Sequence, residues 1–111
     1  MTLSLTPDEL RRELASDTPP LVIDVRKPED RRAGRSIPGA DWRDPLLLED
    51  WAGGIPAGTD TVVYCARGGS VSRNVQDQLG MRGVKARYVE GGLAAWNESE
   101  ALRAAAAPLK P

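Results

Sequence analysis

Val62-Val63-Tyr64-Cys65-Ala66-Arg67-Gly68-Gly69-Ser70-Val71-Ser72-Arg73 is the stretch on which the reading of this chain turns. A β-branched apolar run ends at the only cysteine, and a small glycine-rich loop follows. A helical pattern begins at Ser70, with Val71, Val75 and Leu79 spaced four apart. The order predicts a buried strand whose C-terminal end presents Cys65 to the N-terminus of the next helix. Backbone N–H groups and the helix dipole stabilise an anion at such a place. A thiol held there tends towards the thiolate, the form that attacks electrophiles.

Working outward, the N-terminal signal is Leu5-Thr6-Pro7-Asp8-Glu9-Leu10. Thr6 is the expected N-cap, Pro7 suits the first helical position, and Glu9 completes a capping box. A short edge strand is expected over Leu3 to Leu5, and the helix ends between Asp17 and Pro20. Leu21 to Val25 is a nearly continuous apolar run, as in a strand covered on both faces. A short helix is expected around Glu29 to Ala33, then a turn at Ile37-Pro38-Gly39-Ala40 and a short strand near Trp42. Asp44-Pro45 starts a helix through Trp51, and Ala52 to Asp60 reads as a loop. Thr61 to Tyr64 is the second strong strand, and the helix from Ser70 ends near Gly80 to Gly83. Ala86 to Val89 is a third strand, closed by Glu90-Gly91-Gly92. Leu93 to Leu102 reads as a last helix with Trp96 on its buried side. Residues 1–103 are expected to form one domain, and residues 104–111 a weakly ordered tail.

Strands alternating with helices predict an α/β fold: a small, mostly parallel sheet of four or five strands with helices on both faces. Active sites of such sheets lie beyond the C-terminal strand ends. Cys65 is expected at one such end and Arg26 at another.

With 111 residues and a formal net charge of −1, the chain has the size of one domain and no basic excess for nucleic acid. Its apolar runs are too short to span a membrane, and no basic-then-apolar leader is apparent. One cysteine cannot form an internal disulfide, which fits a reducing, cytoplasmic setting. The absence of histidine, with a single cysteine, excludes the usual zinc sites and the Ser-His-Asp and Cys-His pairs. No cofactor is expected. Gly68 and Gly69, free of Cβ atoms, can turn successive N–H groups inward as an anion-binding nest or form a simple tight turn.

Four segments, taken together, resemble the rhodanese domain, a sulfurtransferase module. They are Asp24-Val25-Arg26 followed by Glu29; Gly34 to Ala40; Val63-Tyr64-Cys65 with its loop; and Glu90-Gly91-Gly92 with Ala95-Trp96. The resemblance spans roughly residues 4 to 102. Two departures stand out: Gly34-Arg35-Ser36-Ile37-Pro38-Gly39-Ala40 lacks the histidine often found in this segment and has one residue more. The loop pattern Cys-x-x-Gly-x-Ser is matched by Cys65, Gly68 and Ser70.

The resemblance implies a Cys65 nucleophile, with Ala66, Arg67, Gly68, Gly69, Ser70 and Val71 around the substrate and Asp24 and Arg26 as a supporting ion pair. It implies transfer of a sulfane sulfur from a small anionic donor such as thiosulfate, through a Cys65 persulfide, to cyanide or a thiol. A protein acceptor is compatible with this scheme; nucleic acid and membrane are not expected as partners. The Ser70 and Ser72 hydroxyls can donate to the sulfur or cap the helix; for Ser70 the two readings stand level, and for Ser72 a solvated side chain is the preferred expectation. Arg67 is expected at the loop rim, attracting the donor or merely solvated. Two alternatives remain: a non-catalytic sulfur carrier or regulatory module, and a Cys-dependent phosphatase or arsenate reductase. The related phosphatases have a longer loop and an arginine six positions after the cysteine, where this chain has Val71.

Overall fold

A computed structural model describes residues 3–106. Five parallel strands form one sheet: β1 (Ser4–Leu5), β2 (Leu21–Asp24), β3 (Asp41–Trp42), β4 (Asp60–Tyr64) and β5 (Lys85–Val89), in the order β1-β5-β4-β2-β3. The helices are α1 (Pro7–Leu14), α2 (Leu48–Trp51), α3 (Ser70–Met81) and α4 (Gly92–Ala106). The three strands expected over Leu21–Val25, Thr61–Tyr64 and Ala86–Val89 appear as β2, β4 and β5, parallel neighbours with β4 central.

Alternation along β4 decides what each helix covers. Val63 and Cys65 point to one face and pack with Leu48 of α2 and with Val75 and Leu79 of α3. Val62 and Tyr64 point to the other, with Leu10 of α1 and with Leu93 and Trp96 of α4. The two-residue period thus builds two cores, and Cys65 belongs to the α2/α3 layer.

Local signals hold the ends of the elements. Thr6 Oγ1 accepts from the Glu9 N–H at 3.1 Å, and Glu9 Oε1 accepts from the Thr6 N–H at 2.9 Å. Such a cap is worth about 1 kcal/mol. Arg87 on β5 donates to both carboxylate oxygens of Glu13 at 2.7 and 2.6 Å. That pairing ties α1 to the sheet and holds the Glu13 carboxyl below its ordinary range.

Some boundaries differ from expectation. The segment before Gly34 is a 3-10 helix, Pro28–Ala33, and the segment after Asp44 is 3-10 over Pro45–Leu47 before α2. A third 3-10 segment, Ala52–Gly54, interrupts the expected loop. The last helix begins at Gly92 and continues to Ala106. The tail expected from 104 therefore starts with helical residues, because the alanine run propagates the helix. The remainder of that tail lies outside the described residues.

Tyr64 is fully buried, and its phenolic oxygen accepts from the Ile37 N–H at 3.0 Å. Burial, aided by the nearby Asp24 carboxylate, pushes its phenol up to about 12. Because the fold raises this group, its contribution is complete below the unfolded value of 10.0 and is lost as pH rises through about 12. Urea unfolding across this range should show stability falling in wild type and a flatter alkaline limb in Tyr64→Phe. At neutral pH the same variant should lose about 1–3 kcal/mol, since it strands the buried Ile37 N–H.

Candidate active site

Three strand ends meet at the site. β4 delivers Cys65, β5 delivers Gly91-Gly92, and β2 delivers Arg26. Cys65 is buried, with 6% of the residue exposed, so its sulfur is recessed. The loop from Ala66 to Gly69 then leads into α3, with Gly69 as N-cap.

The loop takes its shape from contact with the start of α4. The Leu93 N–H donates to the Cys65 carbonyl and the Ala94 N–H to the Ala66 carbonyl, both at 2.9 Å. Among the described residues, the backbone N–H groups of residues 66–72 have no protein acceptor. The N-terminus of α4 therefore engages the carbonyl side of the loop, and the N–H groups that remain are free for an anion. Gly68 adopts φ +68°, as a nest requires, whereas Gly69 has an ordinary φ of −83°. Only one of the two glycines anticipated as conformationally special is so.

The reason for Gly91-Gly92 is steric, where the sequence offered the pair as the close of a strand and as part of the resemblance. A Cβ on Gly92 would lie 2.4 Å from the Cys65 carbonyl oxygen and 2.5 Å from the Gly68 nitrogen. A Cβ on Gly68 would lie 2.6 Å from the Gly91 nitrogen. Backbone meets backbone here, and no side chain fits between.

Ser72 departs most from expectation. It is fully buried, with its Oγ 3.1 Å from Cys65 Sγ. The hydroxyl accepts from the thiol while donating, at a long 3.4 Å, to the Gly69 carbonyl. Rotation of the hydroxyl would let it donate instead to a thiolate. Counting along the helix explains the placement: Ser72, Val75 and Leu79 share the face of α3 that packs on the sheet. Ser70 is exposed at the first helical position, and Gly69 occupies the cap.

Asp24 and Arg26 form a buried pair with side chains 0% and 2% exposed. Arg26 donates from Nη2 to Asp24 Oδ2 at 2.8 Å and from Nε to both carboxylate oxygens at 3.0 and 3.1 Å. These hydrogen bonds raise Arg26 above its ordinary value. Ser36 Oγ donates to Asp24 Oδ2 at 3.0 Å, and Arg26 Nη1 donates to the Gly34 carbonyl at 3.1 Å. Trp42 Nε1 donates to the Arg26 carbonyl at 2.9 Å. The pair anchors residues 30–42 beside the loop. Ser36 and Trp42 are partners that the motif reading did not assign to it.

Two depressions flank the loop. One, of roughly 280 Å3, is lined by Arg26, Asp30, Ala66, Arg67, Leu93 and others on the α4 side. The other, of roughly 400 Å3, is lined by Lys27, Pro45, Leu46, Ser70, Val71 and neighbours on the α3 side. Arg73 lies over the Tyr88 ring, 5.2 Å from its centroid. Among the described residues no cluster of side chains could hold a metal ion, and no helix is long and apolar enough to cross a membrane.

The two loop glycines should respond oppositely to a methyl group. Gly68→Ala should cost roughly 2–4 kcal/mol, combining overpacking with left-handed strain. Gly69→Ala meets nothing within 4 Å and should stay within about 0.5 kcal/mol of wild type. Chemical denaturation of both variants measures the contrast.

A family model, the Rhodanese-like domain, matches residues 6–99. A search of curated proteins finds no significant match. Among solved structures, a rhodanese-like domain protein from Staphylococcus aureus is 32% identical with a TM-score of 0.76, covering 86% of this chain and 91% of that one. A protein from Staphylococcus saprophyticus is 29% identical with a TM-score of 0.75, covering 86% and 93%. A protein of unknown function from Rhodopseudomonas palustris, described as a possible tyrosine phosphatase, is 25% identical with a TM-score of 0.71, covering 98% and 85%. With the family model matched over most of its length and the sheet order and loop in place, the chain belongs to the rhodanese-like domain family.

Proposed function

We propose that the protein is a sulfurtransferase that carries a sulfane sulfur on Cys65. One observation carries the reading: a recessed lone thiol lies under a loop whose N–H groups, from residues 66–72, have no protein acceptor among the described residues. In the first half-reaction the Cys65 thiolate attacks the outer sulfur of thiosulfate. The bond to the sulfonate sulfur breaks, and sulfite leaves with its electron pair. In the second, an acceptor such as cyanide or a thiolate attacks the terminal sulfur, and the electron pair returns to Sγ. Neither half requires a general base, which suits a chain without histidine. Loop N–H groups stabilise the negative charge in both halves. Ala66, Gly68, Gly69, Ser70 and Val71 supply backbone to this cradle, and Arg67 adds positive potential at its rim.

Phosphate-ester chemistry fits less well. It requires a guanidinium that grips two oxygens of the phosphate. Val71 stands at the expected position, Arg73 lies over Tyr88, and Arg67 lines the α4-side depression.

Intact mass spectrometry after thiosulfate treatment tests the loading step. Wild type should gain the mass of one sulfur atom and Cys65→Ser none; a folded Cys65→Ser protein that still turns over thiosulfate and cyanide would refute the mechanism. Loading without discharge would identify a carrier rather than an enzyme, and hydrolysis of a phosphotyrosine mimic would favour the phosphatase reading. Ser72→Ala removes the hydrogen bond to the departing thiolate, so kcat should fall about tenfold or more, corresponding to about 1.5–3 kcal/mol. KM for thiosulfate should change little, because the loop N–H groups remain.

A further inference from the structure

The chain carries a cation beside the loop that no part of this scheme uses. Lys27 follows Arg26 directly, but its situation is different. Arg26 is neutralised by Asp24, whereas Lys27 is exposed and makes no ion pair among the described residues. It lines the roughly 400 Å3 depression together with Pro45, Leu46, Ser70, Val71 and Asn74.

The two sides of the sheet distinguish the depressions, neither of which Cys65 itself lines. Cys65 belongs to the core layer that contains Val75 and borders Val71. Val71 and Val75 also line the Lys27 depression. The Arg67 depression is instead lined by Leu93 and Ala94, on the α4 side, and Leu93 belongs to the opposite core. The Lys27 depression therefore shares the thiol's side of the sheet.

Its lining is mixed. Lys27 offers an ammonium group, and Ser70 and Asn74 offer a hydroxyl and an amide. Pro45, Leu46 and Val71 form an apolar stretch, and Leu46 is 82% exposed. The nearby Asp44 carboxylate is engaged by the Leu46 N–H at 2.9 Å. The volume falls within the range of small-molecule sites. An apolar wall with one cation suits a ligand that has both a carbon stem and a negative end, rather than an inorganic anion alone.

We propose that this depression is the acceptor site, and that it takes small organic thiols bearing a carboxylate. The proposal rests on the sulfurtransferase reading and adds the acceptor's class and its anchoring residue. The acceptor thiol loses its proton to solvent, and its sulfur attacks the terminal sulfur of the Cys65 persulfide. The new sulfur–sulfur bond forms as the bond to Sγ breaks. The electron pair stays on Sγ as thiolate, and an organic persulfide departs.

The test is single-turnover discharge of thiosulfate-loaded protein by 3-mercaptopropionate, 2-mercaptoethanol and cysteamine, at low ionic strength. Each rate is expressed as variant over wild type, which cancels the thiol's own nucleophilicity. Lys27→Ala should slow 3-mercaptopropionate about fivefold, as an exposed charge contact of about 1 kcal/mol implies, and leave 2-mercaptoethanol unchanged. Lys27→Glu should slow 3-mercaptopropionate further and accelerate cysteamine. Opposite changes in one variant cannot come from misfolding. Equal ratios for all three thiols would overturn the acceptor site while leaving the persulfide chemistry standing. Failure of wild type to load at all would refute the sulfurtransferase reading, and the acceptor site with it.

Discussion

The contact on which the site depends is backbone against backbone. The turn after β5 presses Gly91 and Gly92 against the loop after Cys65, and the first N–H groups of α4 bind that loop's carbonyls. Two glycine positions that exclude a Cβ bring two strand connections into direct contact. The loop's peptide groups are thereby fixed from behind, so their donors need no reorganisation when an anion arrives. The loop is short because a second element supplies its rigidity.

A buried ion pair performs the corresponding task on the β2 side. Asp24 and Arg26 are desolvated together, and neighbouring hydrogen bonds from Ser36 and to the Gly34 carbonyl complete the cluster. Pairs of this type add little net stability, yet removing one partner leaves a buried charge. Their effect is geometric: they fix where residues 30–42 cross the sheet end, and therefore where Lys27 emerges. Arginine is suited to this position because its fork reaches a carboxylate and a carbonyl at once.

Much of this was legible in sequence. The alternation of strands with helices identified a parallel sheet, and the apolar runs of β2 and β4 marked strands buried on both faces. Thr6 and Glu9 marked the start of α1, because a capping box is a local interaction between neighbouring residues. Cys65 was identifiable from its place between strand and helix. Residues defined by contacts remote in sequence were not. Ser72 read as solvated, and only its register on α3 turns it towards Sγ. Gly92 is explained by an atom of residue 65, and no local pattern reveals such a clash. The last helix runs past the expected Leu102 to Ala106, because alanines continue a helix without a core to pack on.

The recess that holds Cys65 also bears on how the chain meets oxidants. A disulfide between two copies would need their sulfurs about 2.05 Å apart. Each sulfur lies beneath its own loop with 6% of the residue exposed, so two recessed sulfurs cannot meet without displacing both loops. The fold therefore protects its lone thiol from intermolecular cross-linking.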